Sequence, residues 1–159
     1  WLNTTAEAIT SGGDIWSRSA TTFGLRQSSI LNNTEKAIAY IWHNVPGLQK
    51  FGSYSGGGTT NVFVNTGMAP KFIMIKCIDA SKDWLMFDTT RYPNNPQEYI
   101  LKANTSGGRD STYNIDILSN GFILRSDNSH MNASGNTYIY MAWAEAPTFN
   151  LFGGQSNAR

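Results

Sequence analysis

The chain has 159 residues, of which 40% are hydrophobic and only 14% charged, with a formal net charge of +1. That apolar content excludes a disordered tail, and the near-neutral balance gives no electrostatic case for nucleic acid or a membrane surface. A single cysteine, Cys77, excludes an intrachain disulfide, and no run is long and apolar enough for a transmembrane helix.

With so few charges, the surface must be built from Asn, Ser, Thr and Gly. Such a surface suits durable extracellular proteins better than the crowded cytosol. No basic stretch followed by an apolar one marks a signal peptide. The chain opens at Trp1 in what reads as mid-strand, so it is expected to be a fragment of a longer protein.

In chain order, a Ser/Gly turn at 11–14 leads to Ile15-Trp16. Strands are predicted at 22–26 and 37–45, the second closed by Pro46. Residues 48–54 alternate and run into Ser55-Gly-Gly-Gly-Thr-Thr60, read as a hairpin turn that tolerates positive φ. It lacks the Lys-Ser/Thr ending of a phosphate loop. Strands follow at 61–64 and at 71–78, the strongest β signal, introduced by Pro70. Residues 79–83 form a turn and 84–88 a strand. Tyr92-Pro-Asn-Asn-Pro96 forbids regular structure. The sheet resumes at 98–102, and further strands lie at 122–125 and 138–145. The last of these is apolar and aromatic and reads as buried on both faces. No window holds a helical period over ten or more residues. The fold class is therefore all-β: an antiparallel β-sandwich, jelly-roll-like.

The run 34–46 is a near-copy of 136–147. Trp42 matches Trp143, Ile38 matches Ile139 and Pro46 matches Pro147, each pair at one constant offset. Asn3-Thr4 against Asn104-Thr105 keeps that offset, and Phe23-Gly-Leu-Arg26 resembles Phe122-Ile-Leu-Arg125. These matches predict an internal repeat of about 100 residues. Residues 1–47 are then the second half of one repeat, 48–147 a full repeat, and 148–159 a carboxy-terminal tail.

A set of motifs resembles a known family: Lys50-Phe-Gly-Ser-Tyr-Ser-Gly56, Thr66-Gly-Met-Ala-Pro-Lys-Phe-Ile-Met-Ile-Lys76, Trp84-Leu-Met-Phe-Asp88, Leu118-Ser-Asn-Gly-Phe122, Asn132-Ala-Ser-Gly-Asn-Thr-Tyr-Ile-Tyr140 and Asn157-Ala-Arg159. Together they look like the repeated β-sandwich domains at the carboxy-terminal end of tail-fibre or structural proteins of phage virions, common in phages of marine and freshwater bacteria, cyanophages included. The resemblance implies a virion appendage facing the host. Its expected partners are other copies of itself, in a trimer, other virion proteins, and a host-surface glycan or protein.

Catalytic chemistry finds little footing. His43 is expected as a packed residue ending a buried strand, and His130 as a solvated loop residue. Cys77 is expected as a small buried hydrophobe. Asp79 and Asp83 read as turn formers, Asp88 and Glu145 as strand ends, and with Asp116 they offer no pair whose spacing fixes a glycosidase geometry. Asp127-Asn-Ser-His-Met-Asn132 and 79–83 do not follow the calcium-loop pattern. No enzyme, metal or cofactor is predicted. The sequons at Asn3, Asn32, Asn104 and Asn132 read as surface turns. What remains is a recognition surface of loop residues: Trp16, Tyr54, Tyr92, Tyr113, Asp127 and Asn128, with aromatic faces for sugar rings and amide or carboxylate groups for their hydroxyls.

Overall fold

A computed structural model of the chain describes residues 5, 16–19, 22–25, 40–145, 148–149 and 155–156. Among them every regular element is a strand, and no helix is long and apolar enough to cross a membrane. The chain divides into two compact units, Ile9–Trp42 and the remainder. The division falls at Trp42/His43, ahead of the repeat boundary expected at 47/48. The smaller unit holds β1 (Trp16–Arg18) and β2 (Phe23–Leu25), paired antiparallel.

The larger unit carries two antiparallel sheets. The first has five strands: β3 (Gln49–Ser55), β5 (Pro70–Cys77), β6 (Leu85–Asp88), β7 (Leu101–Lys102) and β10 (Thr137–Ala144). Their order is β3-β10-β5-β6-β7. The second has three: β4 (Val62–Asn65), β8 (Ile115–Leu118) and β9 (Gly121–Leu124), in the order β4-β9-β8. A short pair, β11 (Thr148–Phe149) with β12 (Gln155–Ser156), lies within the expected tail.

One core lies between the two sheets. The five-stranded sheet contributes Ile73, Ile75, Leu85, Phe87, Tyr138 and Tyr140, and the three-stranded sheet Val64, Ile115, Phe122 and Leu124, all at 5% exposure or less. Each such side chain withdrawn from water stabilises the fold by about 1.5–3 kcal/mol. Phe122 of β9 meets Tyr54 and Tyr140 edge-on at 6.2 and 5.9 Å, and Tyr54 stacks on Tyr138 at 5.2 Å. The aromatic contacts therefore bridge the sheets. This architecture is consistent with a β-sandwich.

Apart from 37–45, the expected strands are found with shifted ends, and Pro70 opens β5, a position where a missing N–H is tolerated. Two expectations are corrected. The glycine stretch 55–60 is not a hairpin turn, because β3 and β4 belong to different sheets and the stretch crosses between them. A Cβ at Gly56 would lie 2.2 Å from the Ala133 carbonyl oxygen, so only glycine passes there. The predicted strand 37–45 is not a strand over its described part. Residues 40–44 are irregular, and Tyr40, Ile41 and Trp42 are 65%, 68% and 48% exposed. Residues 37–39 lie outside the described residues. Val45-Pro46-Gly47-Leu48 then forms a tight turn, with Leu48 N–H donating to Val45 O and Gly47 at φ 74°.

Tyr138–Ala144, the supposed copy, lies in a wholly different setting. β10 pairs on both edges, with β3 and β5. It is buried on one face only, through Tyr138, Tyr140 and Ala142, and its other face is half-covered. There Trp143 sits between Phe51 and Phe72 at 5.5 and 5.7 Å. A shared spelling is not matched by a shared environment.

Candidate functional site

The expected recognition residues do not form one surface. Tyr54 is half-buried and packs against the core: its ring is stacked on Tyr138 and its hydroxyl donates to Met131 O at 2.7 Å. Burial pushes that phenol well above its ordinary pKa. Tyr113, 4% exposed, is itself core. Both are corrected, because an aromatic near a turn is drawn inward when the neighbouring sheet leaves a ring-sized gap. Trp16 lies in β1 opposite Leu25, and its side chain is outside the described residues. Asp127 is exposed, while Asn128 braces its own loop by accepting from His130 N–H at 2.9 Å. Tyr92 is half-buried and meets Tyr99 edge-on at 4.9 Å, and the Arg109 guanidinium lies 4.1 Å above the Tyr99 ring. Tyr99 and Arg109 were not read from the sequence.

The histidines and aspartates are also reassigned. His43 is exposed and irregular, its Nδ1 3.0 Å from Asn44 O. His130 and Asp83, far from being solvated loop and turn residues, meet in a half-buried polar knot. Asp83 N–H donates to His130 Nδ1 at 3.2 Å, Asn104 Nδ2 to Asp83 Oδ1 at 2.9 Å, and Trp84 N–H to Asn104 Oδ1 at 2.8 Å. Lys102 Nζ lies 3.1 Å from both Asp83 and Asp110, and Tyr113 covers it at 5.4 Å. Burial opposes every charge here, yet mutual contact prevails for three groups. Lys102 is raised above its ordinary value by Asp110 and Asp83, Asp83 is lowered by Asn104 and Lys102, and Asp110 falls to about 2 under two Thr112 hydrogen bonds. His130 is lowered because burial outweighs the attraction of Asp83. In the knot, each of these ionisable groups is engaged by another. It is an electrostatic clamp between the β6 entrance, β7 and the 126–132 loop.

The remaining carboxylates serve local structure. Asp79 accepts from Thr137 N–H at 2.5 Å, Asp88 from Thr90 N–H at 2.8 Å, Asp116 pairs with Arg125 at 2.6 Å, and Glu145 with Lys71 at 3.3 Å. Cys77 is buried. Among the described residues no group of three His, Cys, Asp or Glu could hold a metal ion. Asn132 is no surface turn: it is 0% exposed, donates to Thr59 O and Ser126 O, and accepts from Gly57 N–H. Asn104 is committed to the knot. Asn3 and Asn32 lie outside the described residues.

A further feature among the described residues was missed by sequence reading. A cavity of about 300 Å³ opens where the loop 89–97 meets the start of β5 and the β8–β9 turn, with Thr89, Asn95, Gln97 and Ser119 in its lining. The loop has no regular structure but is firmly held. Gln97 Nε2 donates to Tyr92 O at 2.5 Å and Asn94 O at 2.7 Å. The Asn95 amide pairs both ways with the backbone of Ile117, at 2.8 and 3.0 Å, as a strand would. Gln97 and Thr89 are 1% and 3% exposed. Gln97 Oε1 and Thr89 Oγ1 nevertheless have no hydrogen-bond partner. The signal available in the sequence was the Pro-Asn-Asn-Pro stretch, which announces a loop with carbonyls in need of donors.

Two antiparallel sheets around one core, with an irregular loop and a pocket at their margin, define an all-β domain. The chain belongs to the family described as Domain of unknown function (DUF7483), whose model matches residues 1–147. No curated protein and no solved structure matches it.

Proposed function

We propose that this chain is a non-enzymatic domain of a phage virion appendage, a tail fibre or capsid fibre, that displays rigid loops for attachment to the host surface. The observation that carries this reading is the loop 89–97. It is pinned by the amides of Asn95 and Gln97, it borders an open cavity, and it carries the half-buried Tyr92, which meets Tyr99 edge-on. Pre-ordered loops on a stiff two-sheet scaffold are where recognition is placed. The motif resemblance to phage fibre domains supplies the setting. In this reading the two sheets form a jelly-roll-like sandwich, and residues 1–47 and 99–147 descend from one repeated pattern that survives in sequence but not in environment. The same reading assigns copies of the chain and other virion proteins as partners. The outer edge of β3, unpaired at Ser53 and Ser55 among the described residues, suits such association.

The polar knot supports the non-enzymatic part, since its acid, base and cation neutralise one another and present no free nucleophile. The alternative is a purely structural module of the particle, to which the packed core is equally suited. Antibody raised against the chain, applied to intact virions, should label an appendage, and fluorescent chain should co-sediment with susceptible bacteria. Labelling without co-sedimentation would favour the structural module. No labelling on any particle, or release of reducing sugar from host glycan, would overturn the proposal.

A further inference from the structure

Resting on the attachment reading, we propose that the cavity bounded by Thr89, Gln97 and the β8–β9 turn is a subsite for one neutral saccharide unit of a surface glycan. Its volume of about 300 Å³ lies at the small end of the range for ligand pockets. That suits a single ring rather than an extended chain. None of the lining residues is charged, so nothing compensates a phosphate, a carboxylate or an ammonium group brought in from water. Apolar Pro93, Ile117 and Leu118 stand among the amides and hydroxyls. A sugar ring has the matching character, with a face of C–H groups and a rim of hydroxyls.

The buried oxygens narrow the chemistry. Gln97 cannot rotate its amide without losing the bonds to Tyr92 O and Asn94 O, so Oε1 is fixed as an acceptor. It requires a donor, and Thr89 Oγ1 takes either role. A ligand hydroxyl suits either oxygen, whereas an aliphatic ligand would leave both unpaired. Each oxygen exposes less than 1 Å², so a hydroxyl reaches it only when a neighbouring lining side chain, and not the pinned Gln97 amide, moves aside. The affinity for one sugar ring is therefore weak, on the order of 1–10 mM. The walls otherwise need no ordering, because Gln97 N–H donates to Ile115 O at 2.6 Å and Asn95 locks onto Ile117.

The test is a titration of the full ¹⁵N-labelled chain with methyl glycosides of glucose, galactose, mannose, N-acetylglucosamine and rhamnose. At least one should shift the side-chain amides of Gln97 and Asn95 and the backbone amide of Ser119, while the side-chain amide of Asn132 stays in place. Ser119 is exposed in a turn, so Ser119→Trp should keep the melting temperature yet weaken that glycoside at least tenfold by filling the mouth. No shift with any glycoside at about 50 mM, or unchanged binding by Ser119→Trp, would overturn the subsite. Co-sedimentation with host cells separates the two claims. If wild type and Ser119→Trp sediment equally, the subsite falls and attachment stands. If glycoside binds but neither protein sediments with cells, attachment falls and the subsite stands.

Discussion

Asn132 and Gln97 are both carboxamides with essentially no exposed surface, the first tying the 126–132 loop to the glycine crossover and the second tying its own loop together, yet they are finished differently. Asn132 uses every group it has: Oδ1 accepts from Gly57, and Nδ2 serves Thr59 and Ser126. Gln97 gives both amide hydrogens to carbonyls of its loop and leaves Oε1 empty-handed. The first arrangement is what stability alone produces. The second leaves an acceptor desolvated without return, which stability alone disfavours. Asn114 Oδ1 is also buried without a partner but lies outside the cavity lining, so it is the cavity beside Gln97 that ties this contrast to the proposed subsite.

The largest effect is expected on the completed side. Asn132→Ala strips three hydrogen bonds and strands Gly57 N–H and the Thr59 and Ser126 carbonyls where the glycine crossover packs on the 126–132 loop. Urea unfolding should show a loss of about 3 kcal/mol with an unchanged slope. A loss below about 1 kcal/mol would mean water replaces the amide, and the contrast with Gln97 would lapse.

Neither amide announced itself in the sequence. Strands did, wherever alternation or an apolar run was long: β3, β5, β6 and β10 were all placed, with ends displaced by a residue or two. β8 was missed because Ile115-Asp-Ile-Leu118 offers only two periods of alternation. The stretch 37–45 was read as buried on composition, but burial needs a covering sheet, and Tyr40 and Trp42, stacked on each other at 5.9 Å, stay 65% and 48% exposed. The polar knot joins Asp83 to Lys102, Asp110 and His130, positions distant in sequence, so spacing could not assemble it. Asp83 looked like a turn former because a carboxylate before an aromatic strand usually is one. Gln97 drew no reading at all, because it follows Asn-Asn-Pro, and only the fold shows which carbonyls it must satisfy.

A second test asks whether the knot belongs with Asn132, as a completed structure. Lys102→Met leaves Asp83 and Asp110 facing each other without their shared cation. The expected cost is about 2 kcal/mol at neutral pH, between the values for exposed and buried pairs. Acid should act in the same direction. His130, Asp83 and Asp110 are all lowered in the folded state, so their contribution is whole above about pH 6.5. It is first eroded as the unfolded chain's histidine protonates. It then falls further from the ordinary carboxylate range near pH 4 down to about 2, where Asp110 titrates. In the Lys102→Met protein the lower part of this fall should be shallower, measured by thermal melts across pH 2–7. An identical profile would remove Lys102 from the clamp.

The smallest expected change in stability is the most discriminating. Thr89→Val keeps the shape of the side chain and deletes only Oγ1, an atom 3% exposed as part of its residue and without a partner. Removing an unsatisfied buried hydroxyl returns its desolvation cost, so the melting temperature should hold or rise slightly, with ΔΔG between zero and about 1 kcal/mol in favour of the variant. Thr89 N–H still reaches Lys71 O at 3.0 Å, so the backbone has no reason to shift. If the hydroxyl is kept for a ligand, the same substitution should lower glycoside binding while stability improves, the usual opposition at a site held for function. If instead the variant melts several degrees lower, the hydroxyl has a partner in solution, and Gln97 and Asn132 differ only in which loop they close.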